Sequence, residues 1–211
     1  MRSLWYALLV LLLAGQGIGA ENEDPNDPVE LLQSKWDAVI SILQAKDIDA
    51  EAKAKKIDKL VSPTFDFPLM AKLTLGRKNW PKLTQPQREE FTKLFVERLK
   101  TSYRERITLY TDERVAFKPA VRKKTTVQVP MELISKEESV EMLYKLRLVD
   151  KTRKVKVGER WEVKVYKRWK IYDLEIQGVS ILLTYRSQFD DILSSGTVED
   201  LLSRLQKPPT S

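Results

Sequence analysis

Apolar residues recur every three or four positions through the first half of the chain, a spacing that predicts helices with one buried face. One such helix is predicted from Val29 to Leu43. A second covers Asp49 to Val61 with its lysines outward, and Pro63 ends it. The ordered part of the chain is therefore expected to open with a pair of helices.

Two capping signals mark the helices that follow. Asp66 is placed to cap a short helix, and Gly76 is expected to end it. Thr84, with Gln87 three residues later, forms a capping-box pattern that opens a long helix reaching Tyr103. The apolar face of this long helix is broad enough to cover a sheet or to line a cavity.

Beyond the long helix the apolar period changes to two, which predicts β-strands. Strands are predicted over 127–133, 140–148 and 161–165, after a strand pair or one long bent strand between 107 and 117. The charged segment Lys151 to Gly158 is interpreted as a hairpin loop. Together these elements indicate an antiparallel meander.

The next predicted strand, Trp169 to Ile176, carries an irregularity. Its apolar register shifts by one near Ile171, which indicates a β-bulge or a strand buried on both faces. A helix is predicted over 179–193, and Thr197, with Asp200 three residues on, caps a short final helix.

The order of these elements predicts an α+β fold. N-terminal helices pack on a curved, mainly antiparallel sheet of four to five strands, and helices return at the C-terminal end. Residues 1–20 have the charged start, apolar run and small-residue end of a cleavable signal peptide, with cleavage expected before Glu21. Residues 21–28 form a flexible acidic leader, 29–206 a single domain and 207–211 a flexible tail.

The absence of two residue types narrows the chemistry. The chain contains no cysteine and no histidine, which excludes disulfides, thiolate chemistry, the Ser-His-Asp and Cys-His nucleophile systems and the usual catalytic zinc sites. A secreted enzyme would depend on carboxylate, lysine or tyrosine chemistry. The net charge of +7 favours anionic surfaces or partners.

Five polar residues stand out in the otherwise apolar segment that joins the last strand to its helix: Asp173, Ser180, Tyr185, Arg186 and Gln188. One interpretation is a secreted carboxylate-based enzyme on a cone-shaped sheet, with Asp173 as base and Tyr185 as acid. No nucleophile, oxyanion hole or metal cluster accompanies them in the sequence. In the other interpretation, Asp173 and Arg186 pair or cap backbone groups where strand meets helix, and Ser180 caps the helix.

The segment 151–170 contains nine Lys or Arg residues, two Glu and interleaved aromatic residues. Such a mixture also suits nucleic acid, but the predicted signal peptide argues against that partner. The segment is either a solvated hairpin face or a docking face for anionic lipid headgroups or acidic surfaces of partner complexes. The cations assigned to the docking face are Lys154, Lys156, Lys164, Lys167 and Arg168.

Three stretches together resemble a known family. They are FDFPLMAKLTLGRKNWPKLTQPQREEFTKLF, the 103–110 end of the long helix, and WKIYDLEIQGVSILLTYRSQF. The first is similar to the F-D-x-x-x-M-A, L-G, W, L-T, Q, F-x-x-x-F series of the MlaC or toluene-tolerance family of periplasmic phospholipid-binding proteins. The last is similar to the W-K-[VI]-Y-D, G-V-S, Y-R-S-Q-F series of that family. The segment KTRKVKVGERWEVKVYKRWK is longer and more basic than its counterpart there.

The resemblance implies a soluble periplasmic monomer that holds the acyl chains of a phospholipid in an apolar cavity between sheet and helices. It implies lipid transport between an outer-membrane lipoprotein–porin complex and an inner-membrane ABC transporter with an MCE-type protein, which serves outer-membrane lipid asymmetry. Phospholipid is the ligand, and neither a cofactor nor a metal is expected. An anionic membrane surface is a further expected partner and nucleic acid is not. Besides the enzyme, the alternative is an envelope adaptor that binds only protein.

Under this resemblance, apolar positions of the helices and strands line the cavity, whereas periodicity alone would make them ordinary core. Tyr185 and Arg186 are expected near the headgroup or as structural polar residues. The predicted lining comprises Met70, Leu73, Phe91, Leu94, Phe95, Leu99, Tyr103, Val129, Met131, Tyr144, Trp169, Leu174, Ile176, Val179, Leu183 and Phe189.

Overall fold

The computed structural model describes residues 27–107, 114–135 and 139–207, without the side chains of 103–107. The predicted signal peptide, most of the leader, the end of the tail, the side chain of Tyr103 and positions 108–113 of the strand or strand pair expected between 107 and 117 lie outside the described residues. At the start of that stretch, Ile107 ends a helix and does not begin a strand. The helices are α1 (Pro28–Gln44), α2 (Ala50–Val61), α3 (Phe67–Asn79), α4 (Gln85–Ile107), α5 (Ile181–Ser195) and α6 (Val198–Gln206). The strands are β1 (Arg114–Phe117), β2 (Val121–Lys123), β3 (Thr126–Ile134), β4 (Ser139–Val157), β5 (Arg160–Ile176) and β6 (Val179–Ser180).

The capping box predicted at Thr84 and the helix cap predicted at Thr197 are both confirmed, and the second is also a capping box. At α4 the amide of Thr84 donates to Gln87 Oε1 at 2.9 Å, and the amide of Gln87 donates back to Thr84 Oγ1 at 3.4 Å. At α6 the same exchange joins Thr197 and Asp200. The hydrogen bonds from Thr197 hold the pKa of the Asp200 carboxyl below its ordinary value. Each box satisfies backbone N–H groups that a helix start leaves without a partner.

The regular helix is interrupted at Gly76, where the sequence predicts its end, although a further short helical stretch extends α3. The residue adopts φ 63° and ψ −173°, which kinks the helix, and helical structure resumes as far as Asn79. Glycine tolerates this left-handed φ because it has no Cβ. A Cβ at Gly76 would also stand 3.4 Å from Nε of Arg186 on α5, so the kink fits the close approach of that guanidinium.

The strands form one antiparallel sheet in the order β1-β3-β4-β5-β6, with β2 also paired to β3. The α+β fold with helices on a mainly antiparallel sheet is confirmed, with six strands in the described residues where four or five were expected. The additional ones, β2 and β6, have three and two residues. Such short strands are too brief for hydrophobic alternation to reveal.

The register shift expected near Ile171 is confirmed as a β-bulge. Lys145 pairs with Asp173, and the next residue of β4, Leu146, pairs with Ile171, so Tyr172 is the additional residue on β5. Because directly opposed residues share a sheet face, the bulge turns Asp173 to the face that carries Lys145. The opposite face carries Leu146 and Ile171.

The hairpin loop expected from Lys151 to Gly158 is wrong. Strand β4 continues to Val157 and β5 begins at Arg160, so a two-residue turn joins two long strands. Strand β5 also runs without interruption through the two strands predicted separately at 161–165 and 169–176. The valines that alternate with lysines favour extended backbone, and the lysine side chains remain solvated on a two-stranded ribbon.

The apolar residues form two separate cores. The helical core joins α3, α4, α5 and α6, whereas the sheet core lies between α1 and one face of β3, β4 and β5. Buried members of the helical core are Met70, Ala71, Leu75, Leu83, Phe91, Phe95, Leu182, Phe189, Leu201, Leu202 and Leu205. Those of the sheet core are Leu31, Leu32, Val127, Val129, Met131, Tyr144, Leu146, Trp169 and Ile171.

A polar joint, formed around Asp66, attaches the start of α3 to the sheet. Its amide donates to the carbonyl of Ile171 at 2.8 Å, and its carboxylate lies 2.6 Å from the guanidinium of Arg147 on β4. The same carboxylate accepts from the amide of Leu69, as the predicted N-cap requires. Phe65 packs against both cores beside this joint.

A second polar joint, formed around Asp173, attaches the start of α5 to β5. The buried carboxylate accepts hydrogen bonds from Ser180 Oγ at 2.9 Å and 3.0 Å, from the amide of Leu182 at 3.3 Å and from Lys145 Nζ at 3.1 Å. Ser180 in turn caps α5 by accepting from the amide of Leu183, as predicted. The joint fixes the angle between strand and helix.

Replacing Asp173 tests the second joint. Asp173→Ala leaves Lys145 and the donors at the start of α5 without this acceptor, and we expect the free energy of unfolding to fall by about 3 kcal/mol or more. Urea unfolding measures the loss. Asp191→Ala, at an exposed position of the same helix, is the matched control and should change stability by less than about 0.5 kcal/mol. Equal stability of the two variants would contradict the role assigned to Asp173.

Tyr144 gives a pH-dependent test of the sheet core. Burial raises the pKa of its phenol to about 12, although the hydrogen bond from Trp36 Nε1, 3.0 Å away, acts in the other direction. The unfolded chain ionises this phenol near pH 10, so folding keeps it neutral and the stability it contributes is lost as pH rises from 10 towards 12. At pH 11 we expect a loss of about 1 kcal/mol relative to pH 9 that Tyr144→Phe lacks. Urea unfolding measures the free energy of unfolding at each pH. Equal losses between pH 9 and pH 11 in wild type and Tyr144→Phe would refute the role assigned to this phenol.

Candidate functional site

A pocket of about 280 Å³ lies between the helices and the sheet face opposite to α1. It is formed by residues from α3, β3, β4, β5, β6 and α5. The lining comprises Leu73, Gln128, Lys145, Tyr172, Asp173, Ser180, Leu182, Leu183 and Arg186. The polar side chains come mainly from the sheet, and the leucines come from the helices.

Lys145 is the cation of the sheet wall. Its ammonium group donates to Asp173 at 3.1 Å and also to Glu175. Partial burial alone would lower the pKa of Lys145, but the hydrogen bonds and the charges of Glu175 and Asp173 outweigh it and raise the pKa above its ordinary value. Two carboxylates therefore compensate this cation locally.

Arg186 is the cation of the helical wall. Its Nε donates to the carbonyl of Leu73 at 3.0 Å, and one terminal nitrogen donates to the same oxygen. The bond joins α5 to α3 just before the kink at Gly76. A guanidinium has five N–H donors, so donors beyond these two remain for a ligand in the pocket.

Leu183 stands at the rim of the pocket. Its side chain is 58% exposed, whereas that of neighbouring Leu182 is 4% exposed and belongs to the helical core. Val179, one turn of chain earlier, is 60% exposed. Val179 pairs with Ile176, whose partner Met142 packs against the sheet core, so Val179 lies on the other face of the sheet. The exposed leucine alone makes the helical side of the pocket entrance apolar.

The predicted lining residues with described side chains are distributed over four places. Leu73 and Leu183 line the pocket together with Arg186. In the helical core or packed against it are Met70, Phe91, Leu94, Phe95, Leu99 and Phe189. In the sheet core or packed against it are Val129, Met131, Tyr144, Trp169 and Leu174. Ile176 and Val179 pair with each other where β5 meets β6, and contact of any of these residues with lipid stays a prediction.

The structure separates Asp173 from Tyr185, the acid–base pair considered for an enzyme. The ring of Tyr185 packs edge-on against Phe95, with centroids 5.3 Å apart, and 5.6 Å from Phe189. Asp173 bonds to Ser180 and Lys145 instead of to Arg186. Tyr185 therefore packs in the helical core, and Asp173 and Arg186 bond to backbone groups near the pocket.

Sequence reasoning missed four lining residues: Gln128, Lys145, Tyr172 and Leu182. Gln128 and Lys145 occupy the polar positions of alternating strands, which normally indicate solvent exposure. The shift of register near Ile171 was the available signal, because a bulge redirects the side chains around it. Asp173 and Ser180 had been singled out only as polar residues in an apolar segment.

The cations assigned to the docking face lie on two faces of the β4–β5 hairpin. Lys154 and Lys156 on β4 share one face with Lys167 on β5. Their cross-strand partners lie an even number of residues from Lys167 along β5, and residues at even spacing point to the same face. Lys164 and Arg168 lie on the other face, and Arg168 stacks over the ring of Tyr166 at 5.3 Å. A role of either face in docking stays a prediction.

In the described part of the chain, no three His, Cys, Asp or Glu side chains are grouped as metal ligands. Over the same residues, no helix combines the length and apolar character needed to cross a bilayer.

The chain is similar to known proteins both in its fold and in its family pattern. A phospholipid-binding protein from Ralstonia solanacearum, solved in complex with a phospholipid at 1.53 Å resolution, shares the fold with a TM-score of 0.64 and 24% sequence identity. The similarity covers 83% of this chain and 92% of that one. No curated protein sequence matches. The family model described as MlaC protein matches residues 33–207, most of the chain. The chain therefore belongs to the MlaC family, as its motifs predicted.

Proposed function

We propose that this protein is a periplasmic phospholipid carrier that acts by binding and transfer, without covalent chemistry. Membership of the MlaC family and the phospholipid-bound neighbour of the same fold support the proposal. In it, the protein exchanges lipid with an outer-membrane lipoprotein–porin complex and with an inner-membrane ABC transporter that carries an MCE-type protein. The predicted signal peptide would deliver the chain to that compartment.

The observation that carries the proposal is the amphipathic wall of the pocket. Leu73, Leu182 and Leu183 present apolar surface from the helices, while Lys145 and Arg186 supply cationic donors at the same pocket. A phospholipid has the matching parts, because its acyl chains are apolar and its phosphate is anionic. A soluble metabolite would gain little from the exposed leucine at the rim.

The pocket must widen to hold a phospholipid. At about 280 Å³ it is at the lower limit of the roughly 300–1,000 Å³ typical of sites for drug-sized ligands, which are smaller than a two-chain lipid. Because the helical core and the sheet core are separate, the space between them can enlarge while each core stays packed. The joints at Asp66 and Asp173 keep the two layers attached during this movement.

Acyl-chain burial supplies enough free energy for such an opening. Each methylene removed from water contributes about 0.8 kcal/mol, so a dozen buried methylenes contribute roughly 10 kcal/mol before the cost of opening. No specific polar motif is needed for this term. Shape and apolar area therefore dominate affinity, and the cations have the smaller task of orienting the headgroup.

Arg186 is the better placed of the two cations to contact a phosphate. Lys145 is already compensated by Asp173 and Glu175, whereas the donors of Arg186 that the structure describes in use go to a neutral backbone carbonyl. Arginine also presents a planar donor geometry that matches phosphate oxygens. We therefore assign the headgroup contact to Arg186.

The basic test is the lipid content of the purified protein. We expect mass spectrometry of an organic extract to recover phospholipid at a substantial fraction of one equivalent. Leu183→Asp places a charge at the apolar rim, and it should lower that occupancy several-fold without unfolding an exposed position. Ser187→Asp adds the same charge at an exposed position one turn further along α5 and should retain lipid. Absence of phospholipid from the wild-type protein would refute the carrier, and full occupancy of Leu183→Asp would refute this entrance.

Arg186→Gln tests the headgroup contact. If Arg186 holds the phosphate, the variant should lose phospholipid several-fold while a fatty acid, which lacks a phosphate, competes better than in wild type. Competition of the two lipids for delipidated protein, followed by mass spectrometry, measures this preference. The melting temperature of each sample shows whether loss of the bond to Leu73 has unfolded the protein. A folded variant with unchanged preference would leave Arg186 with a structural role only.

A further inference from the structure

The distal ribbon, which we define as residues 150–168, extends beyond the rest of the sheet. Strand β3 pairs with β4 only as far as Arg147, and past that point β4 pairs with β5 alone. Three of its apolar side chains are the most exposed large hydrophobic side chains of the described residues: Trp161 at 67%, Val163 at 62% and Val165 at 65%. A folded protein rarely leaves a continuous apolar row in water without a partner.

These three side chains share one face of the ribbon. They lie at even spacings from Trp169 along β5, so they point to the same face as Trp169, which is buried in the sheet core. The row therefore continues the core face of the sheet into solvent.

Lysines flank the apolar row on the same face. Lys156 lies directly opposite Trp161, Lys154 lies opposite Val163, and Lys167 follows Val165 by two residues on β5. The acidic residue on this face, Asp150, is opposite Lys167 at the base of the ribbon. Beyond Asp150, this face therefore combines its apolar side chains with cations and with one neutral polar residue, Thr152 opposite Val165.

The net charge of this region is as large as that of the whole chain. Residues 151–170 contain nine Lys or Arg and two Glu, a net charge of +7, which equals the net charge of all 211 residues. The field of the ribbon is therefore strongly positive, and an anionic partner is the complementary one.

We propose that this face of the distal ribbon docks on an anionic lipid bilayer. Trp161, Val163 and Val165 enter the interfacial region, and the flanking lysines meet lipid phosphates. Aromatic and basic residues together are typical of protein segments at membrane interfaces, where the rings settle at headgroup depth. Cationic segments near an anionic leaflet gain affinity with each lysine.

Two other occupants fit the face less well. A second copy of this chain would bring two faces of the same positive charge together, which is repulsive in a symmetric contact. The buried centre of a protein–protein interface is usually depleted of lysine, whereas here lysines stand directly opposite the apolar residues. Charge and composition therefore favour the bilayer.

The experiment measures partition of the purified protein between buffer and sedimented vesicles. Vesicles of phosphatidylethanolamine with about one third phosphatidylglycerol are compared with neutral phosphatidylcholine vesicles at about 0.1 M salt, where charges are screened beyond about 10 Å. We expect binding to the anionic vesicles and little to the neutral ones. Absence of binding to anionic vesicles would overturn the proposal.

Two matched triple variants test which face docks. K154Q/K156Q/K167Q removes three positive charges from the proposed face, and K151Q/R160Q/K164Q removes three from the opposite one. Because each lysine near an anionic surface contributes about five-fold in partition, the first variant should bind on the order of 100-fold more weakly. The second should lose only a few-fold, and equal losses would mean diffuse attraction instead of a docked face.

A third variant, W161S/V163S/V165S, tests the apolar contribution. Wild-type binding should persist in part at 0.5 M salt, whereas this variant should bind weakly and detach completely there.

A dimer in sedimentation velocity that disappears in this variant would assign the row to a second copy. Binding to polyglutamate without binding to vesicles would assign the face to an acidic protein. Lipid content by mass spectrometry should stay unchanged in all three variants, so failure here is distinct from failure of the pocket.

Discussion

The buried carboxylate of Asp173 is the interaction on which the arrangement of the two layers depends. A carboxylate is costly to bury unless donors surround it. Besides the neighbouring amide of Leu174, the donors here come from three other elements: Lys145 on β4, Ser180 on β6 and the amide of Leu182 on α5. The sheet and the helical layer therefore meet around one charge. The pocket lies beside this charge because the apolar residues of each layer are committed to separate cores.

Two small cores give this chain a property that one large core would lack. Side chains within a core interdigitate, so a core resists enlargement. Movement is easier between cores, where polar joints at Asp66 and Asp173 maintain contact without filling the space. The interior rings of Phe91, Phe95, Tyr185 and Phe189 stack within the helical layer and keep it a unit. Stability and ligand capacity are thereby assigned to different parts of the molecule.

Local signals in the sequence predicted local structure well. The capping boxes at Thr84 and Thr197 and the bulge near Ile171 involve neighbours in the chain, so spacing alone revealed them. Division into two cores depends on which apolar stripes meet in space, and periodicity does not record that. The many lysines of the hairpin predict a solvated loop, but the valines between them favour strand, and the strands are what the structure has. The sheet wall of the pocket, with Lys145, was missed because a paired lysine in a strand has the same pattern as a solvated one.

Because of the bulge at Tyr172, the number of residues in this part of β5 matters more than the identity of the side chain at that position. A substitution at Tyr172 exchanges one side chain at the edge of the pocket. Deletion of the same residue restores simple alternation and turns Asp173 towards α1, away from Lys145 and from the helix that it anchors. In chains related to this one, insertions and deletions should therefore be excluded between Ile171 and Ser180 even where most of the residues themselves can vary.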